Sequence, residues 1–367
     1  MGPDDPSMFA SGEQQVTIAS FVSEPDCQEV ADGIVDLYDD IAGRTLLLTG
    51  AGGFLGKYLL GLAAYLNEHV LEKPFRIVGL DNFLVSEPRS DANSHYRFVN
   101  HNVIEPYTPD EPIDYVMHAA GIASPYHYRA YPLETLEVAT TGTKHMLELA
   151  RVSGARLLFF SSSEIYGDPD PQHVPTPESY RGNVATLGPR ACYDESKRLG
   201  ETLCHVYHSY FGVSCSAVRP FNVYGPGMAE SDYRVLPNFA ARIKADQPLN
   251  VYGTGRQTRT YCYVTDAIQG FLRILVKGVP GEAYNIGNPE PELSVLELSE
   301  RIEVVLGRAV RRNLIEYPDS YPADEPQRRC PDIRKARLQV GYEPKVGLND
   351  GLARFFARTE QNYTGKV

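Results

Sequence analysis

Thr45-Leu46-Leu47-Leu48-Thr49-Gly50-Ala51-Gly52-Gly53-Phe54-Leu55-Gly56 is the stretch on which the fold turns. Thr45 to Leu48 is a short apolar run of the kind that forms a strand buried on both faces. Glycines follow at 50, 53 and 56, and from Phe54 to about Val70 the apolar residues take up helical spacing. A tight strand-to-helix turn needs backbone angles that only glycine adopts cheaply. Missing side chains also let an anion reach the N–H groups at the helix start. Such turns also occur simply as turns, and GxxGxxG is one residue wider than the GxGxxG dinucleotide fingerprint. The surroundings must therefore decide.

Downstream of this turn the chain alternates strand and helix. Ile77–Leu80, Tyr115–Met117, Arg156–Phe160 and Ser214–Arg219 read as strands. Long helices are predicted from about Pro132 to Ser153 and from Ala191 to about Tyr210. That alternation predicts an α/β fold with a doubly wound parallel sheet. Residues 44–221 form the sheet domain in this reading, with about 255–284 returning to it. After Pro220 the Gly/Pro-rich run changes character, so 222–254 and 285–345 are assigned to a smaller α/β lobe that would hold a substrate. Residues 346–367 are a C-terminal helix and tail. Residues 1–43 form a leader: Gly2 to Pro6 reads as loop, and Asp26 to Asp40 as an accessory surface helix.

Bulk properties narrow the function classes. The 47 acidic and 35 basic residues give a formal charge of −12, which repels nucleic acid and acidic membrane surfaces. Six scattered cysteines show neither a CxxC pair nor a His/Cys cluster, so no metal site is expected and a reducing cytoplasm fits. No apolar run approaches the roughly 18 residues of a membrane helix, and the N-terminus is acidic where a signal peptide is basic.

Asp81, closing the second strand, supplies the context that the glycine turn needs. A carboxylate there accepts both ribose hydroxyls of NAD and repels the extra phosphate of NADP. Further on, Tyr193-Asp194-Glu195-Ser196-Lys197 carries Tyr and Lys four residues apart, on one helix face. A tyrosine of ordinary pKa near 10 is a poor base, but an adjacent ammonium and a positive nicotinamide ring favour its phenolate. Ser161-Ser162-Ser163-Glu164-Ile165-Tyr166-Gly167 leaves the C-terminal end of the preceding strand, where ligands of such sheets bind.

With these residues in place, the chain from Arg44 to about Phe356 resembles the extended short-chain dehydrogenase/reductases, the NAD-dependent sugar-nucleotide epimerases, dehydratases and decarboxylases built on a Rossmann sheet. Ser163-Glu164 is similar to the Ser-Glu of UDP-glucuronic acid decarboxylases; 4,6-dehydratases carry Asp-Glu there. Gly188-Pro189-Arg190-Ala191-Cys192-Tyr193-Asp194-Glu195, Val251-Tyr252-Gly253 with Gln257-Thr258-Arg259, and Asp324 to Ala336 also look like that group.

The resemblance implies conversion of UDP-glucuronic acid to UDP-xylose through a 4-keto sugar, with NAD recycled in place. It further implies a cofactor site of Gly50, Gly53, Phe54, Leu55, Gly56, Asp81, Asn82, Asn102, Val103, Tyr193 and Lys197. Tyr193 would take the C4 hydroxyl proton, Lys197 would lower its pKa, and Ser162 would bond to the C4 oxygen. Ser163, Glu164 and Arg329 would share the carboxylate and the C5 proton, while Tyr128, Asn222, Arg234, Tyr252, Arg259 and Arg329 would face the UDP-sugar. A homodimer paired through the long helix and the Tyr-bearing helix is implied as well.

Departures exist: Asn102 replaces a common Asp, Gly227 an Arg, Ala139 an Asn and Ser162 a Thr, which points to a divergent member. The alternatives on the same scaffold are a 4,6-dehydratase, a 4-epimerase and an apiose/xylose-type synthase; a non-catalytic sugar-nucleotide-binding protein is a fourth. Ser163 argues against the first, Glu164 against the second, the lack of a Cys at 163 against the third, and Tyr193 with Lys197 against the last.

Overall fold

The computed structural model describes residues 22–88, 95–317 and 326–366. The loop expected at Gly2 to Pro6 lies outside them, as do Asp324 and Glu325 of the last family-like stretch. Seven strands form one parallel sheet: β1 (Thr45–Thr49), β2 (Arg76–Asp81), β3 (Tyr96–Asn100), β4 (Tyr115–His118), β5 (Arg156–Phe160), β6 (Cys215–Pro220) and β7 (Ala283–Ile286). Across the sheet they run β7-β6-β5-β4-β1-β2-β3. β1 is buried along its whole length, as its unbroken apolar run requires. The two edge strands, β3 and β7, are additions to the strands read from sequence. β3 is only half-buried, and its Tyr-Arg-Phe-Val-Asn sequence lacks the apolar run that marks the inner strands.

Parallel strands put all their C-terminal ends on one edge, and the chemistry gathers there. The Gly50–Gly56 turn follows β1, Asp81 closes β2, His118 closes β4, and Ser161–Glu164 follows β5. The Phe54–His69 helix rises from the first turn and buries Tyr58, Leu59, Leu62, Ala63 and Leu66. The long helix is continuous from Pro132 to Ser153, with a π turn at Val138–Gly142. Gly142 lets this helix approach the strand layer, for a Cβ there would lie 2.9 Å from Val103 Cγ2.

The leader differs from the accessory surface helix expected. Its helix (Glu24–Gly33) starts at Ser23, whose hydroxyl accepts from Asp26 N. Val30, Ala31, Ile34, Leu37 and Ile41 are fully buried in the main core, while Val35 points outward. Each fully buried aliphatic side chain is worth about 1.5–3 kcal/mol, so the segment is part of the core. Asp26 is buried with it, accepting from Tyr58 Oη and Tyr263 Oη at 3.2 Å and paired with Arg354 at 3.4 Å.

The smaller lobe combines the helices Val235–Lys244 and Val295–Leu306 with short strands, and its apolar residues continue the main core. One three-stranded sheet within it matters for the site. Arg328–Arg329 pairs in parallel with Thr258–Arg259, which sets Arg329 beside Arg259.

Candidate active site

The turn after β1 has the geometry that a dinucleotide cradle requires. Gly50 has φ +73°, and a Cβ there would sit 2.8 Å from Ala120 Cα; at Gly56 it would sit 2.5 Å from Ala51 O. Side chains are therefore excluded where a pyrophosphate must approach backbone. Asp81 is fixed against the same turn: Oδ2 accepts from Gly52 N at 2.8 Å, and Oδ1 accepts from Phe83 N at 2.8 Å and Ser86 Oγ at 3.2 Å. Its carboxylate is held at the lip of the crevice, with acceptor capacity left for ribose hydroxyls. Asn82 and Asn102 shape their own loops, accepting from Leu84 N and Ile104 N. Val103 is buried against Gly142.

Tyr193 and Lys197 meet at the mouth of this cradle. Lys197 is buried, and its ammonium donates to Phe160 O at 2.8 Å. Burial lowers its pKa to about 8. Its Nζ stands 5.8 Å from the Tyr193 ring centre. The Tyr193 phenol is close enough to Ser162 for the hydroxyl to favour its phenolate, and its ring stacks on Tyr128 with centres 5.5 Å apart and planes at 17°. In the protein alone the phenol does not have the lowered pKa expected from Lys197. Burial pushes it up to about 12, with the Ser162 hydrogen bond opposing and the Glu164 and Asp194 charges adding to the rise.

Behind this pair lies a cluster of buried arginines and carboxylates. Arg329 grips Glu164 with both guanidinium nitrogens, Nη1–Oε1 2.5 Å and Nη2–Oε2 2.8 Å, and Arg190 bonds Glu164 Oε2 as well. Burial alone would raise the Glu164 pKa, but Arg190 and Arg329 outweigh it and hold the carboxyl at about 2. Arg259, beside Arg329 in the small sheet, adds positive charge and donates to Thr258 O at 2.8 Å. One carboxylate thus faces three guanidinium groups, a setting suited to an anionic ligand.

Residues 46–287 match the NAD dependent epimerase/dehydratase family. The chain belongs to that family. UDP-glucuronic acid decarboxylase 1 of Xenopus tropicalis is 38% identical over 313 residues, covering 84% of this chain and 70% of the relative. Among solved structures, the UDP-glucuronic acid 4-epimerase of Bacillus cereus in complex with UDP-glucuronic acid and NAD superposes with a TM-score of 0.73. It is 27% identical, covering 87% of this chain and 100% of that one. The dTDP-glucose 4,6-dehydratase DesIV of Streptomyces venezuelae, with NAD and TYD bound, gives 0.74 at 25% identity, covering 87% and 98%.

In this epimerase/dehydratase member, then, Tyr193, Lys197, Ser162, Glu164, Arg329 and Tyr128 come together, with Arg259 adjoining. Arg234 is exposed and paired with Asp232 at 2.5 Å, yet its charge reaches the Tyr193 phenol. Asn222 takes a left-handed backbone, φ 40°, and donates to Thr260 O at 2.9 Å, tying the start of the Val223–Tyr224 strand to the residue after Arg259. Ser163 is buried in the turn after β5. Tyr252 is engaged elsewhere in the smaller lobe, stacked on Tyr317.

Sequence reasoning assigned no role to His118, Arg190 or Asp194. His118 Nδ1 lies 2.8 Å from Thr49 Oγ1 and Nε2 lies 3.2 Å from Val138 O, and burial, then the Lys197 charge, push its pKa down to about 3. It is a neutral strut joining β1, β4 and the π turn. Arg190 and Asp194 stand four apart, three residues ahead of Tyr193 and Lys197, and that spacing was the available signal.

Proposed function

We propose that the protein removes CO2 from UDP-glucuronic acid and forms UDP-xylose, recycling its NAD. The observation that carries the reading is Glu164, locked as a carboxylate by Arg329 and Arg190, next to Ser163. A 4,6-dehydratase needs an acid at position 163 to expel the C6 hydroxyl, and a serine is too weak an acid for that. Decarboxylation needs no leaving-group acid. The 38% identity to UDP-glucuronic acid decarboxylases supports the same choice.

Tyr193, beside Ser162, takes the proton of the C4 hydroxyl, and Ser162 then holds the developing C4 oxygen. Lys197, anchored on Phe160 O, holds the nicotinamide ribose and keeps positive charge near the phenol at neutral pH. The Gly50–Gly56 turn and Asp81 would hold NAD, which when bound would supply the hydride acceptor and donor for C4 and a positive ring that would offset the effect of burial on Tyr193. The C4 ketone stands β to the C6 carboxylate, so loss of CO2 leaves an enolate that a positively charged, desolvated site favours. Arg329 and Arg259 orient the sugar carboxylate and the pyrophosphate.

For assembly and location we propose a homodimer in a reducing cytoplasm. Leu133 and Val152 on the long helix, and Leu199, Tyr210 and Phe211 on the Tyr193 helix, are exposed apolar residues on the two helices expected to pair. All six thiols are free, five of them buried.

Product mass spectrometry on UDP-glucuronic acid and dTDP-glucose tests the reaction. The expected result is loss of CO2 from the first, no loss of water from the second, and no NADH released. Inversion at C4 without CO2 loss would make it an epimerase, and a dehydrated dTDP-sugar with intact uronic acid would make it a dehydratase.

A further inference from the structure

The proposed reaction has a proton balance that Tyr193 does not meet. The C5–C6 bond breaks, its electron pair passes to C5 as an enolate, and CO2 leaves. C5 then gains a proton before the hydride returns to C4. Tyr193 takes one proton from the C4 hydroxyl and gives the same proton back. One further proton must therefore enter from solvent in every turnover and reach C5. Glu164, in the turn beside Ser162, holds no proton at rest at neutral pH, because two arginines keep it ionised.

Asp194 follows Tyr193 on the same helix and turns away from the phenol, into the wall behind Glu164. It is buried, at 5% exposure. Its Oδ2 lies 3.6 Å from Arg190 Nε, and its Oδ1 has no hydrogen-bond donor among the described residues. The same guanidinium bonds Glu164 Oε2. Asp194, Arg190 and Glu164 also line one cavity, whose rim includes the exposed Leu187. That cavity gives the carboxyl a route for protons from solvent.

Resting on the decarboxylase reading, we propose that Asp194 and Glu164, held on Arg190, share one proton lodged on Asp194 at rest, and that water in the cavity both line passes it to Glu164, which delivers it to C5, the next proton entering from solvent by the same cavity. Asp194 is in this sense a positioning residue: it stores charge and acts through Glu164. Two carboxylates on one cation cannot both ionise freely, so the pair titrates as a unit. Burial, then repulsion from Glu164, raise the Asp194 pKa to about 7 against the pull of Arg190 and Arg329.

The charged groups around it are Arg190 on its own helix, Glu164 and Asp168 from the turn and loop after β5, and Arg329 with Arg259 from the small sheet. The 183–188 segment adds no charge. When Asp194 gives up its proton, Arg190 is drawn toward it and away from Glu164. Glu164 then becomes basic enough to carry the proton onward.

The test uses the NAD-loaded enzyme with UDP-glucuronic acid, following kcat and KM against pH. In the wild type, kcat should fall as pH rises through about 7, because the donor form is the protonated one. Asp194→Asn keeps the shape but stores no dissociable proton. Its kcat at neutral pH should fall by about 10²-fold, with KM unchanged and the pH limb gone. Bound reduced nicotinamide should accumulate during turnover, because C4 cannot be re-reduced until C5 is protonated.

Asp194→Glu should restore the limb; a thermal melt checks that each variant folds, and if Asp194→Asn does not, the wild-type profile and Asp194→Glu carry the test. A wild type without the limb, an Asn variant that keeps it, or a slow Asn variant showing no reduced nicotinamide would each overturn the proposal. A wild type that releases no CO2 would instead overturn the decarboxylase reading beneath it.

Discussion

Replacing Tyr193 by Phe removes one oxygen and leaves the rest of its surroundings in place. The ring keeps its stack on Tyr128 at 5.5 Å and its burial, so no cavity opens and stability changes little. Catalysis loses its proton acceptor at C4. General acid–base catalysis is worth roughly 10²–10⁴-fold, about 2.7–5.4 kcal/mol of barrier at 1.36 kcal/mol per tenfold.

Lys197 is the nearest substitute, and with a pKa of about 8 it becomes a base only as pH rises past that value. CO2 release by Tyr193→Phe should therefore be at least about 10²-fold slower at neutral pH, with a residual rate that climbs through about pH 8. Calorimetric binding of UDP-sugar should stay within about twofold of wild type, since no charged contact is lost. Near-normal turnover with intact binding would refute the role of the phenol.

Two further substitutions probe the cofactor side. Asp81→Ala should weaken NAD binding by about 10–100-fold, the worth of hydrogen bonds to a charged group, while NADP binding changes less; cofactor titration with unchanged discrimination would free Asp81 from the ribose role. Gly50→Ala forces a side chain onto φ +73° with its Cβ 2.8 Å from Ala120 Cα, a left-handed conformation that alone costs about 1–2 kcal/mol. Denaturant melts should show that loss together with loss of bound NAD, and wild-type values for both would sink the cradle assignment.

What the sequence determined by itself is whatever depends on near neighbours along the chain. Thr45 to Gly56 reads as strand, turn and helix because periodicity and glycine geometry act within a dozen residues. Tyr193 and Lys197 share a face because a helix brings i and i+4 together. The parallel order of the inner strands follows from helices alternating with them, and Ser163-Glu164 leaves the end of β5 for the same reason.

The tertiary structure decided what lies across long separations. Glu164 and Arg329 are 165 residues apart and meet because Arg328–Arg329 pairs with Thr258–Arg259 while Cys330 and Asp332 bond the backbone of Thr176 in the loop after β5. Arg190 joins them from the start of the Tyr193 helix, and Asp194 acquires its raised pKa from that company. The Tyr193 pKa, expected to fall beside Lys197, rises because the phenol is buried, with the Glu164 and Asp194 charges adding to the rise. The leader becomes core because the face of Val30, Ile34 and Ile41 finds the Phe54–His69 and Val264–Lys277 helices, which its own spacing cannot announce. Periodicity fixes which side of an element is apolar, whereas desolvation and charge pairing depend on what packs against that side.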